Sequence, residues 1–443
     1  MTRLALRSLR HRATAFTATF VTVLLGTALI GSFATLVETA GGPVSDVDAE
    51  TLTIMGAVVG SWGALIVLFS VASTMGITVR QRAVEIGLLR TIGGTPRQAR
   101  RLIRTEALAV TSVAAALGAV LAWPAGRALL AMIRSGDMVA SDVAYAGGPA
   151  SLGLSALAVV ITAMVATGIA GRRAVRGPVS LVLAEARADA GRMRWWRVAA
   201  GLVLIAYAVG MGVVTVTVTA DSDDPYAAMQ TSGSASILLA IGLAVLAPAL
   251  LRWAGSVARP VVGSSTAGHL AAYNTTRRAH LLAGVLGPVI VLTSAAIGVL
   301  MAVGIDGRTM TAAQDDDADV ITLLNNVVTG MICVFAAIMV VNAFAAVIAD
   351  RRQELHRLHL VGATGAQVRG SVLAESAIVA VAGVVLGTIA SLATVVPFAL
   401  ARDEGVVPDG QLWLPPLVVA GAVLLTLGAA RGALARTGTA ALR

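Results

Sequence analysis

The residues with the most informative spacing are charged and polar side chains that occur twice in the chain. Eight positions between 82 and 106 recur 269 residues later. Their chemistry is ion pairing and hydrogen bonding, because neither copy joins a nucleophile to a base or has metal-ligand spacing. The first copy is Arg82, Glu85, Leu89, Gly93, Thr95, Gln98, Arg100 and Glu106, and the second is Arg351, Glu354, Leu358, Gly362, Thr364, Gln367, Arg369 and Glu375. We therefore predict two equivalent contact sites and no catalytic residues.

The elements that position these residues follow from the same spacing. Val84, Leu88 and Ile92 recur at helical intervals, and Gly93 is a residue that ends helices. Thr95 then suits an N-cap, and Gln98 stands at the third helical position, where it completes a capping box. Each copy therefore predicts an amphipathic helix, a tight turn and a second helix that leads into an apolar segment.

The basic residues also exclude some chemistry. All 33 of them are arginine, and the formal net charge is +9. Without lysine the chain carries neither the lysine of a nucleotide-binding phosphate loop nor a Schiff-base lysine. The single cysteine, Cys333, makes no intrachain disulfide. In a chain this apolar, the basic excess indicates membrane orientation and not nucleic-acid binding.

The composition is that of an integral membrane protein. Apolar residues make up 57% and charged residues 13%, against roughly 25% charged in soluble domains. Mean hydropathy is +0.84. We predict an all-α protein whose ten spans cover about 20 residues each, at residues 14–37, 54–78, 106–127, 150–171, 198–219, 234–252, 281–304, 322–349, 375–398 and 413–430.

Orientation follows from the arginines in the connecting segments. With alternating sides, 29 of the 33 basic residues fall on the side of the N-terminus, whereas 17 of the 24 carboxylates fall on the other side. By the positive-inside rule both termini are predicted to be cytoplasmic.

The repeat extends beyond the polar residues. Near the N-terminal elbow, Leu4 to Arg10, the pairs Leu4-Ala5 and Arg12-Ala13 match Leu270-Ala271 and Arg278-Ala279 at an offset of 266. Spans 1–4 therefore repeat as spans 7–10, with two spans inserted, and the two four-helix repeats are parallel because two insertions preserve orientation. The predicted domains are a first repeat at 1–196, a two-span linker at 197–262 and a second repeat at 263–443.

Three function classes fit a chain of this kind. An integral membrane enzyme is disfavoured because no catalytic constellation is present. A secondary transporter is disfavoured because every Asp and Glu falls in a loop or at a span end, whereas proton coupling needs ionisable groups near the midplane. The third class is a permease driven by a separate ATPase.

The two polar segments resemble the signature of the FtsX-like (MacB-type) ABC transporter permeases. The resemblance covers both four-span units. It rests on the run Arg80-Gln81-Arg82-Ala83-Val84-Glu85-Ile86-Gly87-Leu88-Leu89-Arg90-Thr91-Ile92-Gly93-Gly94-Thr95 and on its second copy, Asp350 to Thr364 and on to Glu375. The elbow and the segment 172–178 are weaker matches. The resemblance implies a type VII ABC transporter fold in a bacterial cytoplasmic membrane.

The resemblance also implies the partners. Two copies of an ATP-binding subunit, which hold ATP and Mg, would dock on the two cytoplasmic coupling hairpins, and this chain would need no cofactor of its own. The loops 38–53 and 305–321 are too short for the extracytoplasmic domain that many members carry. Export of a lipid, peptide or drug and mechanotransmission to an extracytoplasmic partner both stay open, and so do the substrate and the direction of transport. Membrane lipid is a further expected partner.

Glu85 and Glu354 are predicted to be pivots of the two hairpins. On a helical wheel each lies in the middle of an apolar arc, where a carboxylate is costly unless it is paired. The predicted partner is an arginine of the neighbouring elbow or of the ATPase. The alternative is an interfacial glutamate that extends to water.

Overall fold

The computed structural model describes residues 13–81, 85, 87–88, 91, 93–135, 138–175, 193–222, 227–309, 330, 333–334, 336–345, 347–348 and 351–441. Within these residues the chain is helical and has no β-strand. It divides into two compact units. Five of the described helices lie in the first unit: α1 (Ala13–Ala40), α2 (Asp46–Thr53), α3 (Gly60–Gln81), α4 (Pro96–Ser135) and α5 (Pro149–Val175). A π-helical turn, Ile54–Val59, joins α2 to α3.

The second unit contains the remaining described helices. The first part of this unit comprises α6 (Trp195–Val214), which continues into a π-helical turn at Thr215–Thr219, α7 (Ala227–Gly233), α8 (Ala235–Val262), α9 (Thr266–Arg277) and α10 (Ala279–Thr309). The rest comprises α11 (Ala336–Ala345), α12 (Arg352–Leu360), α13 (Gly365–Ala401) and α14 (Leu414–Ala441). The two spans predicted as a linker therefore belong to the same compact unit as the second repeat.

Nine helical segments among the described residues are long and apolar enough to cross a membrane, and they coincide with nine of the ten predicted spans. The predicted span at 322–349 lies only partly within the described residues, where the short apolar helix α11 represents it. Two of the candidate spans begin well before the apolar runs, at Pro96 and Gly365, because the second helix of each predicted hairpin continues into the membrane without a break. The chain is a multi-pass membrane protein.

In the first unit, α1 and α4 approach closely where α4 carries small residues. A Cβ on Gly118 would lie 2.4 Å from the carbonyl oxygen of Leu24 and 2.8 Å from Cβ of Thr27, so this contact requires glycine. Ala122 and Gly126 follow at intervals of four and continue the small-residue face. Small residues at this spacing let two membrane helices pack backbone to backbone.

In the second unit, α10 and α13 meet in the corresponding way. A Cβ on Gly387 would lie 2.9 Å from the carbonyl oxygen of Ile290 and 2.6 Å from Cβ of Thr293. Gly387 follows Gly118 by 269 positions, and the two contacted residues follow those of the first unit by 266, which are the two offsets of the sequence repeat. At this contact the two units use matching residues.

At the end of the second unit opposite the predicted coupling hairpin, two ion pairs connect α10 to the residues that follow α13. Arg402, just after α13, donates from Nη2 to Oδ1 of Asp306 at 2.6 Å. Arg308 donates to both carboxylate oxygens of Glu404 at 3.0 Å, and the same carboxylate accepts the backbone N–H of Asp409 at 3.2 Å. The segment between α13 and α14 is therefore held against the end of α10.

Candidate functional site

The predicted turn of the second coupling hairpin lies between α12 and α13. Gly362 has φ +96°, a left-handed conformation that glycine adopts without steric cost. The N–H of Ala363 donates to the carbonyl oxygen of Leu358 at 3.0 Å, and the N–H of Val361 donates to that of Arg357 at 3.1 Å. These bonds satisfy carbonyl groups at the end of α12, as in the usual glycine-terminated helix.

The capping box predicted for the next helix is present. The N–H of Gln367 donates to Oγ1 of Thr364 at 3.3 Å, and the N–H of Thr364 donates to Oε1 of Gln367 at 2.9 Å. The reciprocal bonds fix where α13 begins. Gly362 and the box together set the angle at which the chain leaves the turn.

The first copy has the same turn. Gly93 has φ +97°, and Thr95 and Gln98 exchange the same two bonds at 2.9 and 3.3 Å. Both Thr95 and Gln98 are exposed. Of the first-copy residues predicted for this site, Arg82 and Leu89 lie outside the described residues.

The second copy contains a cluster of charges. Glu354 in α12 accepts a hydrogen bond from Nη1 of Arg278, which directly follows α9. Arg351 contacts the same carboxylate oxygen, with its Nε 3.5 Å from Oε2 of Glu354. The sequence predicted an arginine of the neighbouring elbow or of the ATPase as the partner of Glu354, and the structure places Arg278, in the segment equivalent to residues 4–13, against this carboxylate.

Arg351 also joins the turn to the membrane helix. Its Nη1 donates to Oε2 of Glu375 at 2.7 Å, and the two side chains are only 7% and 2% exposed. Glu375 lies inside α13, so this pair connects the start of α12 to a buried position of the next helix. The sequence interpretation did not assign this pairing, although Arg82 and Glu106 repeat the same interval and provided the signal for it.

The pKa of Glu354 is lowered from its ordinary value. Partial burial opposes ionisation of its carboxyl group, but the hydrogen bond from Arg278 and the charges of Arg351 and Arg278 outweigh that effect. The carboxylate is therefore ionised at neutral pH and holds α9 and α12 together.

The remaining predicted residues divide into buried and exposed sets. Glu106 is 1% exposed within α4. Glu85, Leu358 and Arg100 are half-buried, and Nε of Arg100 donates to the carbonyl oxygen of Pro96 at 3.3 Å. Arg369 and Gln367 are exposed.

Apolar side chains at the tip of the second hairpin are unusually exposed. Leu360 is 73% and Val361 is 88% exposed, although both lie beside the charged cluster. Leu88 of the first copy is 58% exposed. Exposed apolar residues next to an ordered polar network are typical of a protein-binding surface.

A comparison with known protein families gives one match. Residues 57–179 and 326–437 match the family model described as FtsX-like permease C-terminal, and together they make up more than half of the chain. Each matched segment contains one of the two glycine turns. No curated protein matches the chain at the level required for a relative. The chain belongs to the FtsX-like permease family.

Proposed function

We propose that the chain is the permease subunit of an ATP-driven ABC transporter and that two copies of a separate ATP-binding subunit dock on its two hairpins. FtsX-like permeases generally work with ATP-binding subunits. ATP and Mg would be held by that partner, because the lysine required by a phosphate-binding loop is missing from this sequence. The chain itself would transmit the motion and would not be catalytic.

The observation that carries the proposal is the occurrence of one turn geometry twice. Gly93 and Gly362 differ by 1° in φ, and each precedes a threonine–glutamine capping box with the same bond lengths. A dimer of identical ATPase subunits presents two identical docking surfaces, and two turns of the same geometry suit such a dimer.

Docking would involve the exposed tip, while the charged cluster would transmit the force. Val361 and Leu360 provide apolar area for the partner. Behind them, Arg351 contacts both Glu354 and Glu375. A push on the hairpin would therefore reach α13 through a short chain of ion pairs and would not be absorbed by a loop.

The output of this motion would lie at the opposite end of α13. The ion pairs of Arg402 with Asp306 and of Arg308 with Glu404 fasten the following segment to α10. An ordered segment of this kind would follow the displacement of α13, which supports mechanotransmission to an extracytoplasmic partner or the opening of an export path.

The experiment is assembly with the ATP-binding subunit. The full chain and the candidate subunit are co-expressed, co-purified and assayed for ATP turnover, with the purified chain alone as a reference. Val361→Glu introduces a charge at the exposed tip without altering the core. It should weaken assembly at least tenfold, or about 1.4 kcal/mol. Leu412→Glu is the matched control, because Leu412 is 56% exposed and lies beyond α13.

Two outcomes would refute the proposal. ATP turnover by the purified chain alone would contradict the assignment of catalysis to a partner. Wild-type assembly and turnover with Val361→Glu, Leu88→Glu and both together would contradict docking through the hairpins.

A further inference from the structure

A cavity in the first unit is lined by an unusual concentration of positive charge. It has a volume of about 350 Å³ and lies between the first turns of α4 and the last turns of α5. Five arginines line it, namely Arg97, Arg100, Arg101, Arg104 and Arg172. Of the described residues that line the cavity, none carries a carboxylate.

The electrostatics of this arrangement favour an anion. Four of the arginines lie within the first turns of α4, whose first turn has no acidic residue. The N-terminus of a helix already has a partial positive charge, which disfavours cations there. An anion in the cavity would relieve both the repulsion between the guanidinium groups and their unfavourable interaction with the helix dipole.

The rest of the lining is mixed, with Ile103, Leu108 and Met164 as its large apolar side chains and Thr105 and Thr167 as its polar ones. Leu108 on α4 and Met164 on α5 are the lining residues farthest along the two helices from the arginines. The cavity therefore has a cationic end and an apolar end, as a ligand with a charged head and a hydrocarbon tail requires.

The position of the cavity along the two candidate spans corresponds to a membrane surface. The arginines lie at one end of both candidate spans, Pro96–Ser135 and Pro149–Arg172. The arginine distribution predicts this end to be cytoplasmic. The cytoplasmic leaflet is the one that presents anionic lipids, and arginines near such a surface are attracted to it.

Gly168 on α5 leaves space for the guanidinium group of Arg104. A Cβ on Gly168 would lie 3.2 Å from Nη2 of Arg104, so the guanidinium group lies across the helix at a point where any side chain would compete with it. Guanidinium groups bind phosphate oxygens through two parallel hydrogen bonds, and this makes arginine well suited to a phosphate ligand.

The arginine set that lines the cavity is not repeated in the second copy. Of the four arginines in α4, only Arg100 has an arginine at the equivalent position, Arg369. The positions equivalent to the other three are Ala366, Gly370 and Leu373. Since the turn and its caps occur in both copies, a feature confined to one copy serves a purpose other than docking two identical subunits.

We propose that this cavity binds the phosphate group of an anionic phospholipid headgroup from the surrounding leaflet. The guanidinium groups of Arg101, Arg104 and Arg172 contact the phosphate, and the acyl chains follow the apolar wall past Leu108 and Met164. The lipid thereby joins the start of α4 to the end of α5.

The test measures lipid binding by the purified full chain without any ATP-binding subunit, so its failure is distinguishable from failure of docking. The probe is phosphatidylglycerol titrated into detergent-solubilised protein and followed by native mass spectrometry, with phosphatidylcholine as the neutral lipid and inorganic phosphate as the free anion. We expect preferential retention of phosphatidylglycerol over phosphatidylcholine by at least tenfold.

Two variants address the site in different ways. Gly168→Leu fills the cavity and keeps every charge, and Arg101→Gln with Arg104→Gln keeps the volume and removes two charges. Each should reduce the preference for phosphatidylglycerol about tenfold. The controls are Gly153→Leu, on the same helix with no atom within 4 Å of the added Cβ, and Arg259→Gln with Arg277→Gln, two exposed arginines of the second unit.

Three results would overturn the proposal. The first is equal retention of phosphatidylglycerol by the site variants and their controls. The second is retention of inorganic phosphate at millimolar concentration without preference for the anionic lipid, which would identify a free-anion site. The third is wild-type lipid binding together with lost assembly in Arg101→Gln with Arg104→Gln, which would assign these arginines to the protein partner.

Discussion

The buried ion pair between Arg351 and Glu375 offers the most quantitative test of the site. The two charges are 2.7 Å apart and are 7% and 2% exposed. Glu354, the other carboxylate near Arg351, is 3.5 Å away and already accepts from Arg278. Removal of either member of the buried pair therefore leaves the other with weak compensation in a poorly solvated position.

The expected magnitude follows from this burial. Breaking a buried pair by removing one partner costs about 3–5 kcal/mol, because the remaining charge loses its compensation. The Arg278–Glu354 pair has side chains 26% and 31% exposed, so solvent screens it. Removing that pair should cost about 0.5–1 kcal/mol. Glu375→Leu should therefore destabilise the chain several times more than Glu354→Gln does.

A double-mutant cycle gives the decisive comparison. Glu375→Leu, Arg351→Met and the double variant are unfolded by titration with denaturing detergent, and their free energies of unfolding are compared. The double variant should be more stable than either single variant, since both charges are gone. Oε1 of Glu375 is buried and has no hydrogen-bond partner among the described residues. Replacing the ion pair by the apolar Leu and Met side chains should therefore lower the free energy of unfolding only slightly.

The control and the refuting result are well defined. Arg357→Met removes an exposed arginine of α12 and should stay within about 0.5 kcal/mol of wild type. If the two single costs simply add in the double variant, or if Glu375→Leu costs less than about 1 kcal/mol, the pair is not the connection between the hairpin and α13.

Three further predictions concern the rest of the chain. Because the pKa of Glu354 is below its ordinary value of 4.5, its ionised form stabilises the fold at neutral pH. That contribution is fully present above the ordinary value and is lost as pH falls through the lowered pKa, so the Tm of wild type should converge on that of Glu354→Gln as the solution is acidified through this range. Arg308→Gln removes the two bonds to Glu404 and should increase proteolysis after α13 at unchanged Tm. Single cysteines at 38–53 should react with impermeant reagents from outside in intact cells, and those at 82–104 should not; the reverse would contradict the predicted orientation.

Much of the fold could be predicted from the sequence, because membrane helices are encoded by long apolar runs. The starts of α4 and α13 were also predictable, since a threonine and a glutamine three residues apart are a local signal. The small-residue contact at Gly118 was not predicted, because its partner Leu24 lies on a distant helix and the sequence does not state which helices meet.

Part of the candidate site could also be predicted from local sequence signals. The cost of a carboxylate on an apolar face indicated that Glu354 would pair with an arginine, but it did not identify Arg278. The pairing of Arg351 with Glu375 depends on the angle of the turn at Gly362, which periodicity does not give. The arginine cavity of the first unit requires two helices to converge, so the residues of α4 alone suggested only membrane orientation.

The length of α4 has a consequence for how far a small rotation travels. With 40 residues and a rise of 1.5 Å per residue, the helix is about 60 Å long, roughly twice the thickness of a hydrocarbon core. The close contact of Gly118 with α1 lies 22 residues from Pro96 and 17 residues from Ser135. A rigid tilt of α4 by about 10° about that contact would move its two ends in opposite directions, the capped end by about 6 Å and the far end by about 4 Å. A displacement of the capped end would therefore reach the far end reversed in direction and slightly reduced in size.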